Sequence, residues 1–150
     1  MMKTLFDQTT PTEMLQRLER ITPEATRQWG TMEVAQMLAH CGNGLEMAMG
    51  KIKPKRVLIG RLIGGFFKSD YTNEKPFSQG NPTSAELKVT TPCDFAREKG
   101  RLAKLINEFA AGGADKATTH PHPFFGALGK TDWGRGMYKH LDHHFRQFGA

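Results

Sequence analysis

The chain is poor in cysteine, with only Cys41 and Cys93 among 150 residues. Two thiols cannot build a disulfide framework, so a reducing cytoplasm is the expected setting. No apolar run approaches the roughly 18–20 residues that cross a bilayer, and the opening MMKTLFDQTTPTE has no long hydrophobic signal segment. Internal repeats, low-complexity tracts and βαβ alternation are also missing, which argues against solenoids, disorder and a parallel sheet. What is present is an apolar fraction of 38% and a mean hydropathy of −0.52. Over this length those values fit one domain, residues 1–150, with a core large enough to need no staples.

Acidic residues are the scarcer charge, 15 against 21 Lys and Arg, giving a net charge of +6. The excess is dispersed, and only KIKPKR at 51–56 concentrates it. No aromatic-interleaved basic stripe accompanies it, so the segment reads as a solvated basic loop and nucleic acid is not expected as a partner. A membrane partner is not expected either. A small-molecule substrate is, and a homodimer remains open.

Four segments carry helical signals. Thr10-Pro11-Thr12-Glu13 reads as cap, first-turn proline and capping box, followed by Met14, Leu15, Leu18 and Ile21 at helical spacing. A second helix is expected from Thr31, with Val34, Met37, Leu38, Cys41, Leu45 and Ala48 as its stripe. A third begins at Thr91-Pro92, with Asp94 near its positive end and Cys93 in its first turn, and stops at Gly112-Gly113. The fourth starts at Thr131-Asp132 and runs almost to the C-terminus. Between the second and third lies a long connection, 51–90, whose VLIGRLIGGFF is too glycine-rich for a long helix, and whose 77–84 reads as loop. The expected class is all-α, a four-helix bundle with this long connection between helices 2 and 3.

On the last helix, at about 100° per residue, Trp133, Met137, His140, Leu141, His144 and Phe148 share one arc, while Lys139, Asp142 and Arg146 lie opposite. Burying imidazole without partners is costly, because each neutral ring holds one donor and one acceptor. His140 and His144 at i and i+4 can share a ligand, and a divalent metal suits them. A third ligand must come from elsewhere. His40 lies about 100° from the centre of its own stripe. His143 is rotated about 60° from His140 and reads as a partly exposed or supporting group. His120 and His122 alternate with prolines in an extended loop.

Two segments, WGTMEVAQMLAHCGNGLEMAMG at 29–50 and HPFFGALGKTDWGRGMYKHLDHHFRQFG at 122–149, resemble the DinB-like (YfiT-like) metalloenzyme superfamily, and within it the branch known as domain of unknown function 1569. The resemblance implies a four-helix bundle and a metal site of His40 with the final-helix pair His140 and His144. Related members are thiol-dependent S-transferases or metal-dependent isomerases and hydrolases. No residue here maps onto their thiol-binding motifs, so the reaction is not inherited with the fold.

Three neutral histidines leave room for water or substrate on a divalent ion, with Zn, Ni and Fe all acceptable. Such an ion lowers the pKa of bound water to about 7 or holds a substrate thiol as thiolate. His143, Glu46 and Tyr138 are the candidate proton-transfer groups by helix position. The reading that follows is a small-molecule metalloenzyme of the S-transferase or hydrolase kind. Its alternative is a non-catalytic module whose histidines are buried polar groups or hold a stabilising metal.

Overall fold

A computed structural model describes all 150 residues, and its regular structure is helical, with no strands. In chain order the helices are α1 (Thr10–Arg20), α2 (Val34–Ala48), α3 (Leu58–Ile63), α4 (Lys68–Thr72), α5 (Phe95–Lys116) and α6 (Lys130–Gln147). A 3-10 turn, Gly64–Phe67, joins α3 to α4.

Each long helix begins where a side chain takes up free backbone N–H groups. For α1 that side chain is Asp7, not Thr10. Its carboxylate accepts from the Thr9 and Thr10 amides at 3.0 and 2.7 Å and from the Thr10 hydroxyl at 2.6 Å. At α2 the Gln36 amide oxygen reaches back to the Glu33 N–H, which delays the start from Thr31 to Val34. Asp94 caps α5 by accepting from the Arg97 N–H at 2.7 Å. Cys93 therefore lies before the cap and outside the first turn. Asp132 closes the start of α6 on the Gly129 N–H. The expected stop at Gly112-Gly113 is a break in α5: Gly113 sits at φ +61°, ψ −167°, and one further turn reaches Lys116. A φ of that sign is accessible to glycine at little cost.

α2 packs against both α5 and α6, α1 against α5 and α6, and α5 against α6. Met14 and Leu18, Leu38 and Leu45, Leu102 and Phe109, Trp133 and Phe145 meet in one core and are almost wholly buried. Side chains of this size each contribute about 1.5–3 kcal/mol on burial.

α6 departs from the expected pattern, because its polar side is covered as well. Asp142 is buried, not solvated. It pairs with Arg17 of α1 at 2.7 Å and with Arg146 one turn on. Lys139 is also buried, donating to the Asp70 carbonyl and, at 2.9 Å, to Asn73 Oδ1. Lys139 is covered by the 51–90 connection, which lays α4 against α6, and Asp142 by α1.

Candidate metal centre

His40 enters from α2, and His140 and His144 from α6. One ring nitrogen from each falls within 4.8 Å of the others, a grouping that could hold a metal ion. The three ring centroids stand 4.7–4.8 Å apart, edge to face.

Hydrogen bonds decide which nitrogen each ring offers. His40 Nδ1 lies 2.8 Å from the Leu87 carbonyl. A carbonyl only accepts, so Nδ1 carries the proton and Nε2 is left as a bare lone pair. His144 is fixed by two bonds in series. The Gln147 amide nitrogen donates to the Trp29 carbonyl at 2.8 Å, which orients the amide, and its oxygen accepts from His144 Nδ1 at 2.8 Å. His144 is thus also left with Nε2 free, and that nitrogen makes no hydrogen bond. His140 Nε2 completes the group, 2.9 Å from His40 Nε2.

His140 Nδ1 is shut from solvent with no partner. It faces Gly44, where an added Cβ would stand 3.1 Å from Nδ1 and 3.0 Å from Cε1. Gly44 thereby leaves the space that the ring occupies.

Electrostatics favour neutral imidazoles throughout. Burial lowers all three pKa values. His140 is held well below the ordinary range, its two neighbours adding to the effect, and His144 falls to about 3, with His40 contributing. A neutral ring is the form that binds metal.

The remaining candidates are dispersed. His143 is half-buried, its ring edge-on to Trp29 at 5.4 Å and to His144 at 4.9 Å. It also borders an open cavity of roughly 460 Å³ lined by Trp29, Phe77, Gln28 and Arg146. His143 therefore stands between cavity and cluster. Glu46 is engaged elsewhere, pairing with Arg101 at 2.9 Å between α2 and α5. Tyr138 lies toward the N-terminal segment, beneath the Lys3 ammonium at 5.8 Å.

The proline-flanked histidines serve the loop. His120 Nε2 donates to the Pro54 carbonyl at 3.0 Å. His122 Nδ1 accepts from the Phe124 and Phe125 amides at 3.1 and 3.2 Å, and burial, with Arg56 nearby, lowers its pKa to about 3. Cys41 is fully buried beside Met37, and burial pushes its thiol pKa far up, which makes it inert.

Sequence reasoning missed Gln147, Trp29 and Leu87, the partners that orient the rings. Gln147 had a usable signal, three residues beyond His144 on the same helix face. Leu87 had none, since it contributes only a backbone carbonyl.

An all-helical domain that brings three neutral imidazoles from two helices into its interior defines the class. Within it, the chain belongs to the family described as Protein of unknown function (DUF1569), which it matches over residues 3–150. No curated protein and no solved structure matches the chain.

Proposed function

We propose that the protein is a divalent-metal-binding domain of the DinB/YfiT type, its four long helices forming a four-helix bundle around a centre of His40, His140 and His144. The observation that carries this reading is the pinning of two protons. Leu87 and Gln147 hold His40 and His144 in the tautomer that presents Nε2 inward, toward the Nε2 of His140. Ligating histidines ordinarily donate their second N–H to a carbonyl or carboxylate in this manner. Three protein ligands leave a position for water or substrate, the pattern of catalytic sites. When bound, the ion supplies Lewis acidity that makes a water or thiol ligand easier to deprotonate.

The chain's own residues then divide the work. Trp29 and Gln147 hold His144 in place. His143, on the cavity side, is placed to relay a proton to or from a ligand arriving there. We read the reaction as transfer or hydrolysis on a small molecule, with a thiol among the candidate substrates.

A second reading rests on the 2.9 Å contact itself: His140 Nε2–H could donate directly to His40 Nε2 in a purely structural cluster. One proton serves only one lone pair, however. It leaves His144 Nε2 without a donor from the protein, whereas a cation could take all three Nε2 lone pairs.

Elemental analysis of purified protein separates the two. The wild type is expected to hold close to one equivalent of a transition metal, and His140→Ala and His40→Ala to lose it while remaining folded. Negligible metal in the wild type after growth and dialysis against Zn, Ni or Fe would exclude the metal reading.

A further inference from the structure

We propose that Val57–Lys68 is an interfacial element that seats this protein on an anionic lipid surface. The inference is independent of the metal centre.

Apart from the N-terminal Met1, every large hydrophobic side chain left exposed belongs to this one segment: Leu58, Ile59, Leu62, Ile63, Phe66 and Phe67. Phe66 is 84%, Leu58 74% and Leu62 69% exposed. Exposures this high belong to side chains that stand off the surface, not to the walls of a groove. A contiguous apolar patch on a folded protein marks a site of interaction.

The segment is held in this orientation. Gly60 and Gly64, one turn apart, form its inner face and lie directly on the backbone of Phe124. A Cβ at Gly60 would stand 2.6 Å from the Phe124 carbonyl oxygen, and one at Gly64 would be closer still. Arg56 fastens the start of the helix by donating to the carbonyls of Gly60 at 2.8 Å and of Pro123 and Phe124 at 3.3 Å. Val57 N–H adds a bond to the Pro123 carbonyl. The small face is therefore packed inward and the bulky face outward, the reverse of an ordinary surface helix.

Charge identifies the occupant. From Lys51 to Ser69 there are six basic residues and no acidic one. Arg56 is used internally and Lys51 pairs with Glu108. Lys53, Lys55, Arg61 and Lys68 form no ion pair and lie before, within and at the end of the apolar segment. Two copies of the chain meeting face to face would bring like charges together. An anionic bilayer offers negative headgroups to these cations and a fluid apolar layer that needs no matching shape. A helix presenting Phe and Leu beside Lys and Arg has the composition of an interfacial anchor.

Sedimentation of the full chain with lipid vesicles tests this. Binding is expected to phosphatidylcholine mixed with phosphatidylserine, to weaken with added salt, and to be poor on phosphatidylcholine alone. Leu62→Ser combined with Phe66→Ser removes two exposed side chains without touching the core, and should weaken binding at least about tenfold. Lys53→Gln and Arg61→Gln should each cost about fivefold on the anionic vesicles. Circular dichroism verifies that all variants stay helical. The proposal is overturned if the wild type ignores anionic vesicles at low salt, or if the Leu62/Phe66 variant binds undiminished. It is equally overturned if the patch instead drives a concentration-dependent dimer, abolished by that variant, with no lipid bound.

Discussion

Gln147 performs two tasks with one amide. Its nitrogen end grips the Trp29 carbonyl and its oxygen end holds the proton of His144. Gln147→Leu keeps the bulk but removes both bonds, leaving His144 free to turn and its tautomer unassigned. Groups that orient metal ligands in this way are worth about 10–100-fold in metal affinity, and a loss in that range is expected here. Competition titration against a chromophoric chelator measures it, and an affinity equal to wild type would strip Gln147 of its positioning role. At this scale the sequence was partly legible. The i, i+4 histidine pair stood out from its own spacing. His40 did not: on the helix wheel it lay at the margin of its stripe, and only the resemblance raised it. The structure shows why the wheel misled. α2 is buried nearly all round, packed against both α5 and α6, so a residue at the margin of its apolar stripe is still inside.

At the scale of elements, α1 depends on a residue three positions before its start. Burial raises the Asp7 pKa, but hydrogen bonds from the Thr10 hydroxyl and from the Thr10, Thr9 and Thr4 amides outweigh it and bring the group to about 2. A carboxylate with a depressed folded pKa stabilises the fold above its unfolded value, near 3.8, and that contribution disappears as pH falls toward 2. Asp7→Ala should cost about 1 kcal/mol at neutral pH, the usual worth of a cap. The difference from wild type should shrink toward zero below pH 3. Urea titrations of both proteins at pH 7 and at the lowest pH where both fold check this, and a pH-independent difference would refute the assignment. The expected cap was Thr10, since threonine before proline fits the pattern. The Asp7 carboxylate prevailed because, ionised, it takes the Thr9 and Thr10 amides together, and the Thr10 hydroxyl as well. α6 was legible along its apolar arc and misread on the other side. Lys139 and Asp142 look like solvent residues until the partners that bury them, Asp70, Asn73 and Arg17, are brought in from distant sequence. No local pattern encodes that meeting.

For the whole molecule, the all-helical class and the long helices α1, α2, α5 and α6 followed from caps, breakers and apolar spacing. The course of residues 51–90 did not. By composition alone its glycines read as interruptions, whereas in the fold Gly60 and Gly64 are contact surfaces that turn the apolar side chains outward. Composition at that point is the same in either case, and only the packing partner, the Phe124 backbone, distinguishes them.

His40 and His140 are 100 positions apart in a chain of 150. Bringing two such positions together in an unfolded chain costs roughly 4.7 kcal/mol of configurational entropy. The unfolded protein therefore offers an ion only the local histidines of residues 140–144, while the folded protein adds His40 to His140 and His144. Ligands that prefer the folded state add stability by mass action, about 2.7 kcal/mol at a hundredfold excess over Kd. Removing the ion with a chelator should accordingly lower the midpoint of thermal unfolding, and an unmoved midpoint in a metal-loaded sample would contradict the proposed centre. An ion so placed would act as a reversible cross-link between the first third of the chain and its end, the office a disulfide fills in other proteins and one this cysteine-poor sequence has no thiols positioned to perform.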